Sequence, residues 1–470
     1  MKLAQPHEDT PMMRHKFLTT LICFLVISSF AQATQLKTFG YAYIYRGDTG
    51  DLGILLLSPS ENTSRQIDIP SDIAGLQAVA PSIKNEWIAF TARNTASYEL
   101  ILMNILTSEI RRLTFEGVGL YNPEGLKGSP QNIVWSPDGK YLALNLGDNT
   151  DIKLTVSTYL YSLAENTLIE LHRDSIQATR LAWSNDGRYL AAAGYRCKNT
   201  CASSLDLESQ LDIFDVTTQS WSSTIPLTAQ IPGALGDAGL CELAWSPDNT
   251  YISLIATCDS LDYAQYQEVY LIAVQKRTIL RLTDFTYRQN IDAQNWFRVA
   301  NYRTRWLDSD SFFISAIHGI GAENKAETLV YDPSTQTFTP LFDGFATAID
   351  WYAQTQRLVI QSGSMTDARY GMFSSIRMLN LLDLQAGREI SVEPLSISTE
   401  VCGLEGSPDG HYLVYTTPNS SNLCSAYTQE IGVVNMMTSE KSPIVMKTEV
   451  DTSEIIFILP IGWMETYPEL

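Results

Sequence analysis

The nine residues Trp135–Ala143, WSPDGKYLA, recur as WSNDGRYLA at Trp183 and as WSPDNTYIS at Trp245. A fourth copy, GSPDGHYLV, carries Gly406 in place of the Trp. A phrase spelled four times in one chain constrains the fold more than any total does, because such a chain builds repeated copies of one unit. Ser-Pro-Asp-Gly is turn chemistry: Pro presets φ, Asp bonds back to the local backbone, and Gly accepts positive φ. The residues on either side, 132–135 and 141–144, alternate or run apolar as buried strands do. Each phrase therefore predicts a hairpin joining the first two strands of a unit. Read in this frame, Asp138, Asp186, Asp248 and Asp409 are turn residues, one per unit, rather than a row of catalytic carboxylates.

Taking the Trp as an anchor extends the frame. Trp306 (RWLDSDSFFIS) and Trp351 (DWYAQTQRLVI) fit it without the Ser-Pro-Asp-Gly turn. In APSIKNEWIAF, Pro81 stands at the anchor and Trp87 at the aromatic position of Tyr141. Anchors 81, 135, 183, 245, 306, 351 and 406 are 54, 48, 62, 61, 45 and 55 residues apart. Each interval has room for about four strands, and periods of this size indicate a β-propeller. The later strands of a unit are legible in ELILMNILTSEIRRLT from Glu99, in LDIFDV from Leu211 and in EVYLIAVQKRTILRLT from Glu268.

A Ser-Pro-Asp-Gly hairpin followed by a strand, a turn and a closing Arg-x-Leu-Thr resembles the repeat of TolB-type, WD-like propellers. It is also similar to the non-catalytic propeller of prolyl-oligopeptidase-class peptidases. The resemblance implies an all-β fold, a β-propeller of four-stranded blades. Residues 39–70 hold strand-like pieces but no anchor, whereas Trp463 stands 57 residues after Gly406 and the sequence ends soon after. The expected ring is thus closed by a C-terminal strand joining the N-terminal blade, with eight blades favoured and seven as the alternative. TolB itself carries a further N-terminal domain that has no counterpart here.

Arg14, His15 and Lys16 precede the apolar run Phe17–Phe30, followed by Ala31-Gln32-Ala33. A basic start, a short apolar core and an A-x-A site predict a signal peptide over 1–33, with Met13 as an alternative start. The run is shorter than the ~20 residues a bilayer span needs. Residues 34–470 are then a single exported propeller domain, periplasmic or secreted, with no transmembrane span after cleavage. The net charge of −20 opposes nucleic-acid binding, which depends on Lys and Arg displacing counterions.

Six cysteines remain after the signal: Cys197, Cys201, Cys241, Cys258, Cys402 and Cys424. An even count in an exported chain predicts disulfides. In a propeller of this kind the connection into a blade and the loop after its second strand share one face. That frame pairs Cys241 with Cys258, Cys402 with Cys424, and Cys197 with Cys201, all on the face with the longest loops. Loops of this sort are where binding concentrates, and Tyr195, Tyr263, Tyr266 and His318 are the candidate binding residues there.

No catalytic residues are assigned: G-x-S-x-G is absent and no hydrolase-sized region lies outside the blades. No zinc spacing occurs, and the acidic runs at 48–51, 148–151 and 308–310 lack a full calcium loop. The expectation is a monomeric, non-enzymatic scaffold for a protein or peptide partner, without cofactor. A propeller enzyme or carbohydrate binder, with a polar or metal-holding channel mouth, is the alternative, and calcium is its weak candidate ion.

Overall fold

The structure is a computed structural model. It describes residues 38–47, 52–60, 63–73, 76–93, 97–116, 119–120, 133–147, 156–171, 176–197, 207–227, 240–256, 268–282, 297–299, 305–307, 311–320, 323–343, 345–352, 357–363, 375–380, 392–394, 403–418, 429–436, 444–445 and 455–466. One compact unit spans Phe39–Thr466.

The chain opens with β1 (Thr38–Gly47), β2 (Leu52–Ser58) and β3 (Thr63–Asp68). The Pro81 blade follows as β4 (Leu76–Pro81), β5 (Trp87–Arg93), β6 (Ser97–Asn104) and β7 (Ile110–Glu116). The Trp135 blade holds β8 (Gly119–Leu120), β9 (Ile133–Trp135), β10 (Tyr141–Gly147), β11 (Val156–Ser162) and β12 (Thr167–Glu170). The Trp183 blade is β13 (Ile176–Trp183), β14 (Tyr189–Cys197), β15 (Leu207–Asp215) and β16 (Ser220–Pro226). The Trp245 blade is β17 (Leu240–Trp245), β18 (Tyr251–Ala256), β19 (Glu268–Ala273) and β20 (Thr278–Arg281). The Trp306 blade comprises β21 (Phe297–Val299), β22 (Arg305–Trp306), β23 (Phe312–Ile320), β24 (Glu323–Asp332) and β25 (Thr337–Asp343). The Trp351 blade is β26 (Phe345–Tyr352), β27 (Arg357–Gly363), β28 (Ser375–Asn380) and β29 (Val392–Pro394). The Gly406 blade is β30 (Gly403–Gly406), β31 (Tyr412–Pro418), β32 (Gln429–Asn435) and β33 (Ile444–Val445), and β34 (Ile455–Thr466) ends the described chain.

The favoured count of eight blades is corrected to seven, the alternative that the sequence allowed, whereas the expected closure by the C-terminal strand is present. The chain folds seven blades from consecutive strands, and the remaining sheet is a composite, ordered β3-β2-β1-β34. Its reason is local: the N-terminal stretch supplies three strands and no anchor, so the C-terminal strand fills the inner position and covers an edge that would otherwise be open. Nor are all seven blades plainly four-stranded. In the Trp135 blade β8 and β9 both pair with β10, and in the Trp306 blade β21 and β22 both pair with β23. In each of these blades the inner strand is split by an insertion.

The repeated phrase folds as its chemistry dictates. Ser136 N–H donates to Tyr141 O at 2.8 Å, and Gly139 N–H donates to Ser136 O at 2.8 Å. The Asp138 carboxylate accepts the Ser136 hydroxyl at 2.6 Å and Lys140 N–H at 3.2 Å. Gly139 sits at φ 71°, and Asn249, which replaces the glycine in SPDN, sits at φ 62°. Asn is among the few residues that tolerate this region.

The anchor Trp is a stitch between blades. Trp135, Trp183, Trp245 and Trp463 donate their indole N–H to the carbonyls of Ala80, Val134, Ala182 and Glu405, at 2.9, 3.1, 3.1 and 3.3 Å. Trp306 donates to Ala244 O at 3.3 Å. Each acceptor is the residue just before the preceding blade's own anchor. Apolar cores lie between the sheets: Leu211 and Ile213 of the Trp183 blade pack with Leu243, Ile252 and Tyr270 of the next. Tyr141 and Tyr189 stack on Trp183 and Trp245 of the following blades, at centroid distances of 6.4 and 6.2 Å.

At the turn between β15 and β16, Asp215 accepts two guanidinium bonds from Arg188, at 3.1 and 2.8 Å, together with Thr217 N–H and the Thr217 hydroxyl. The Arg188 hydrogen bonds, helped by Thr217 and Thr218 against the opposing effect of burial, hold its carboxyl at about 2. A carboxyl depressed in the folded state stabilises above its unfolded value of 3.8 and loses that contribution as pH falls toward about 2. With Arg188 half exposed, the effect is about 1–2 kcal/mol. Urea midpoints measured across this window should fall less steeply in Asp215→Asn than in the wild type. Identical slopes would count against the assignment.

Candidate functional site: the connection-bearing end of the ring

Strands that alternate in direction divide a propeller's connections between two ends. One end carries the hairpins between first and second strands and most of the tight turns between third and fourth strands. There the carboxylates are spent on their own turns. Burial pushes the Asp138 carboxyl up, but hydrogen bonds from Ser136 and Lys140 together hold it below its ordinary value. The Asp248 carboxyl is lowered likewise, burial being outweighed by Ser246 and Thr250. Ser184 and Ser407 donate to Asp186 and Asp409 in the same way. His411 lies at this end, with Nδ1 3.1 Å from Asp409 Oδ2.

The other end carries the connections into each blade and those between second and third strands. The latter include residues 148–155, 198–206, 257–267, 364–374 and 419–428. This is the end on which the sequence places its candidates. Tyr195 lies within β14 opposite Gln177 and Ser209, and Cys197 is the last residue of that strand, opposite Leu207. His318 is expected to begin a loop. Instead it lies inside β23, between Phe297 and Lys325, because that hairpin is closed by residues 321 and 322 alone. Cys241 lies in β17. Tyr263, Tyr266, Cys201, Cys258, Cys402, Cys424 and the acidic runs at 48–51, 148–151 and 308–310 fall outside the described residues.

A feature that the sequence did not announce recurs at this end. The inner strands are bulged between Leu76 and Ala78, Ala178 and Arg180, Leu240 and Glu242, and Ala346 and Ala348. The extra residues are Gln77, Thr179, Cys241 and Thr347, each four positions before its anchor. A bulge re-aims the side chains that follow it. In two blades those are charged: Arg180 and Glu242, both buried. The third strand of the Trp183 blade adds Asp212, fully buried. The signal for Asp212 was in the repeat, since LDIFD carries an acid where other third strands have Ile101, Tyr159 or Tyr270.

Among the described residues, no group of three or more His, Cys, Asp and Glu side chains could hold a metal ion. Among those residues, too, no helix is long and apolar enough to cross a membrane.

No family profile and no characterised protein sequence matches the chain. Solved structures do. A prolyl endopeptidase is similar at 10% identity and TM-score 0.49, over 85% of this chain and 51% of that one. TolB from Acinetobacter baumannii is similar at 13% identity and TM-score 0.34, over 72% of each chain. An oligogalacturonate lyase, solved in complex with manganese, is similar at 11% identity and TM-score 0.45, over 92% and 97%. Both kinds of protein that the repeat resembles are among them. The chain spans about half the length of the prolyl endopeptidase. No activity follows from likeness of this order.

Proposed function

We propose that the protein is exported by its 1–33 segment and serves as a non-enzymatic scaffold, binding a protein or peptide partner through the connection-bearing end of its propeller. The observation that carries this reading is the division of labour between the two ends. The repeated carboxylates and hydroxyls of one end are consumed in their own turns. Sequence that the repeat does not need is concentrated in the long connections of the other, and such connections are where binding resides. Disulfides 197–201, 241–258 and 402–424 would fix these loops.

The test is capture of partners by chain 34–470 from the compartment to which it is exported. Replacing residues 257–267 by a Gly-Ser linker of equal length should abolish capture. Lys140→Ser, at the opposite end, should leave it intact. Loss of capture in both, or in neither, defeats the reading. A propeller enzyme or carbohydrate binder is the second reading, favoured by the buried Arg180 and Glu242 that follow the bulges. Substrate turnover abolished by Glu242→Gln would establish it.

A further inference from the structure

The repeat supplies its own control for what an interface between blades contains. On the face that each blade turns toward its predecessor, second and third strands present one particular cross-strand pair. It is Phe90–Ile101, Leu144–Tyr159, Leu254–Tyr270 and Ile314–Leu329 in four blades. In the Trp183 blade the pair is Ala192–Asp212. Ala192 brings three carbons fewer than Leu, and Gly194, next along that face, brings no side chain. Asp212 is fully buried; it accepts Thr224 Oγ1–H at 2.7 Å and a Gln210 Nε2–H at 2.6 Å.

The facing blade departs from an apolar core at the same level. Ala143 and Leu160 of the Trp135 blade pack in the core against Leu190, Ala192 and Phe214. Two residues along each strand, on the same face, stand Asn145 and Thr158, paired with each other. Asn145 is fully buried; its Oδ1 accepts the Thr158 hydroxyl at 2.9 Å, and its Nδ2 has no partner among the described residues. Exchanging the amide oxygen and nitrogen leaves one orphan atom either way. In the next interface the equivalent positions, Ala193 and Tyr270, share one core cluster. By the repeat, Asn145 and Asp212 stand at corresponding levels of the two sheets that face each other across this interface.

A buried amide without a partner is costly, and polar groups in such places are usually satisfied by something bound. We infer that the interface between the Trp135 and Trp183 blades encloses a polar site that takes a hydroxyl group. A hydroxyl accepts from Asn145 Nδ2 while donating to the Asp212 carboxylate, which can accept about four hydrogen bonds. Buried water supplies this chemistry, and so does a polyol or sugar.

The experiment is thermal melting of the full chain with Ala192→Leu, which restores the side chain of the other blades. An occupied site makes the substitution lower Tm by several degrees, because the occupant is displaced. An empty gap makes it raise Tm, and that result overturns the inference. Glycerol and glucose distinguish the source. A glycerol- or glucose-dependent rise in the wild type that Ala192→Leu lacks assigns a solute hydroxyl. A fall in Ala192→Leu that disappears in the Asn145→Ala background, with no such response in the wild type, assigns water; a fall unchanged in that background is overpacking and counts against the site. Should the variant fail to fold, a crystal structure of the wild type decides. Density within hydrogen-bonding distance of Asn145 Nδ2 and an Asp212 oxygen supports the site, and collapsed side chains refute it.

Discussion

Replacing Trp463 with alanine is expected to lower the unfolding free energy by about 3–5 kcal/mol, as for a large buried aromatic. The side chain is 3% exposed and lies in the core shared by the composite sheet and the Gly406 blade. Its ring meets Tyr41 edge-on at 5.0 Å, its N–H donates to Glu405 O, and the Tyr41 hydroxyl donates to Glu405 Oε2 at 2.6 Å. One step before it, Gly462 sits at φ 129°, where an added Cβ would come within 3.2 Å of Pro81. So β34 touches both neighbouring blades while pairing with β1 inside its own sheet. The seven consecutive blades have strands joined by continuous chain; β34 and β1, far apart in sequence, are joined by their contacts. Urea unfolding followed by fluorescence should show the loss at Trp463 to be at least as large as that at Trp183. A change below about 1 kcal/mol would mean that other contacts carry the joint.

What could be read from sequence, and what could not, divides along physical lines. The hairpins were legible because their conformation is set within six residues: Ser136 to Tyr141 contains every donor and acceptor of the turn. The anchors were legible as a spacing, but not as stitches, because the acceptor of each indole lies one blade away and is a backbone carbonyl. Closure at the ends was legible, since an anchorless N-terminal stretch and the late Trp463 left one sheet to share across more than 350 residues. The count of blades was not, because Trp463 marks a sheet assembled from both ends and reads in the spacing like any other anchor. The bulges at Gln77, Thr179, Cys241 and Thr347 were invisible, as these four residue types share no chemistry and the bulge is a matter of register. His318 was misplaced because a hairpin closed by two residues leaves little loop to detect.

The Gly406 blade offers the strongest test of how the interfaces are packed. Gly432 is extended backbone, so its requirement for glycine is steric. A Cβ there would lie 2.0 Å from Tyr415 Cζ and 2.4 Å from Cε1. Tyr415 is its cross-strand partner and is buried against the Trp351 blade. The pair Tyr415–Gly432 occupies the positions of Leu144–Tyr159 and Leu254–Tyr270, with large and small exchanged between strands. Gly432→Ala must displace a buried ring and is expected to cost about 3 kcal/mol; Gly432→Tyr alone should prevent folding. Tyr415→Leu alone leaves a void and should cost about 2–4 kcal/mol. The double variant Tyr415→Leu/Gly432→Tyr recreates the arrangement of the other blades. It should recover to within about 1.5 kcal/mol of wild type, a coupling far from additive. Chemical denaturation of the four proteins measures this directly. If the double variant is no more stable than Gly432→Tyr, the blades are not interchangeable at this layer, and the fit of Tyr415 over Gly432 depends on the Trp351 blade rather than on the pair.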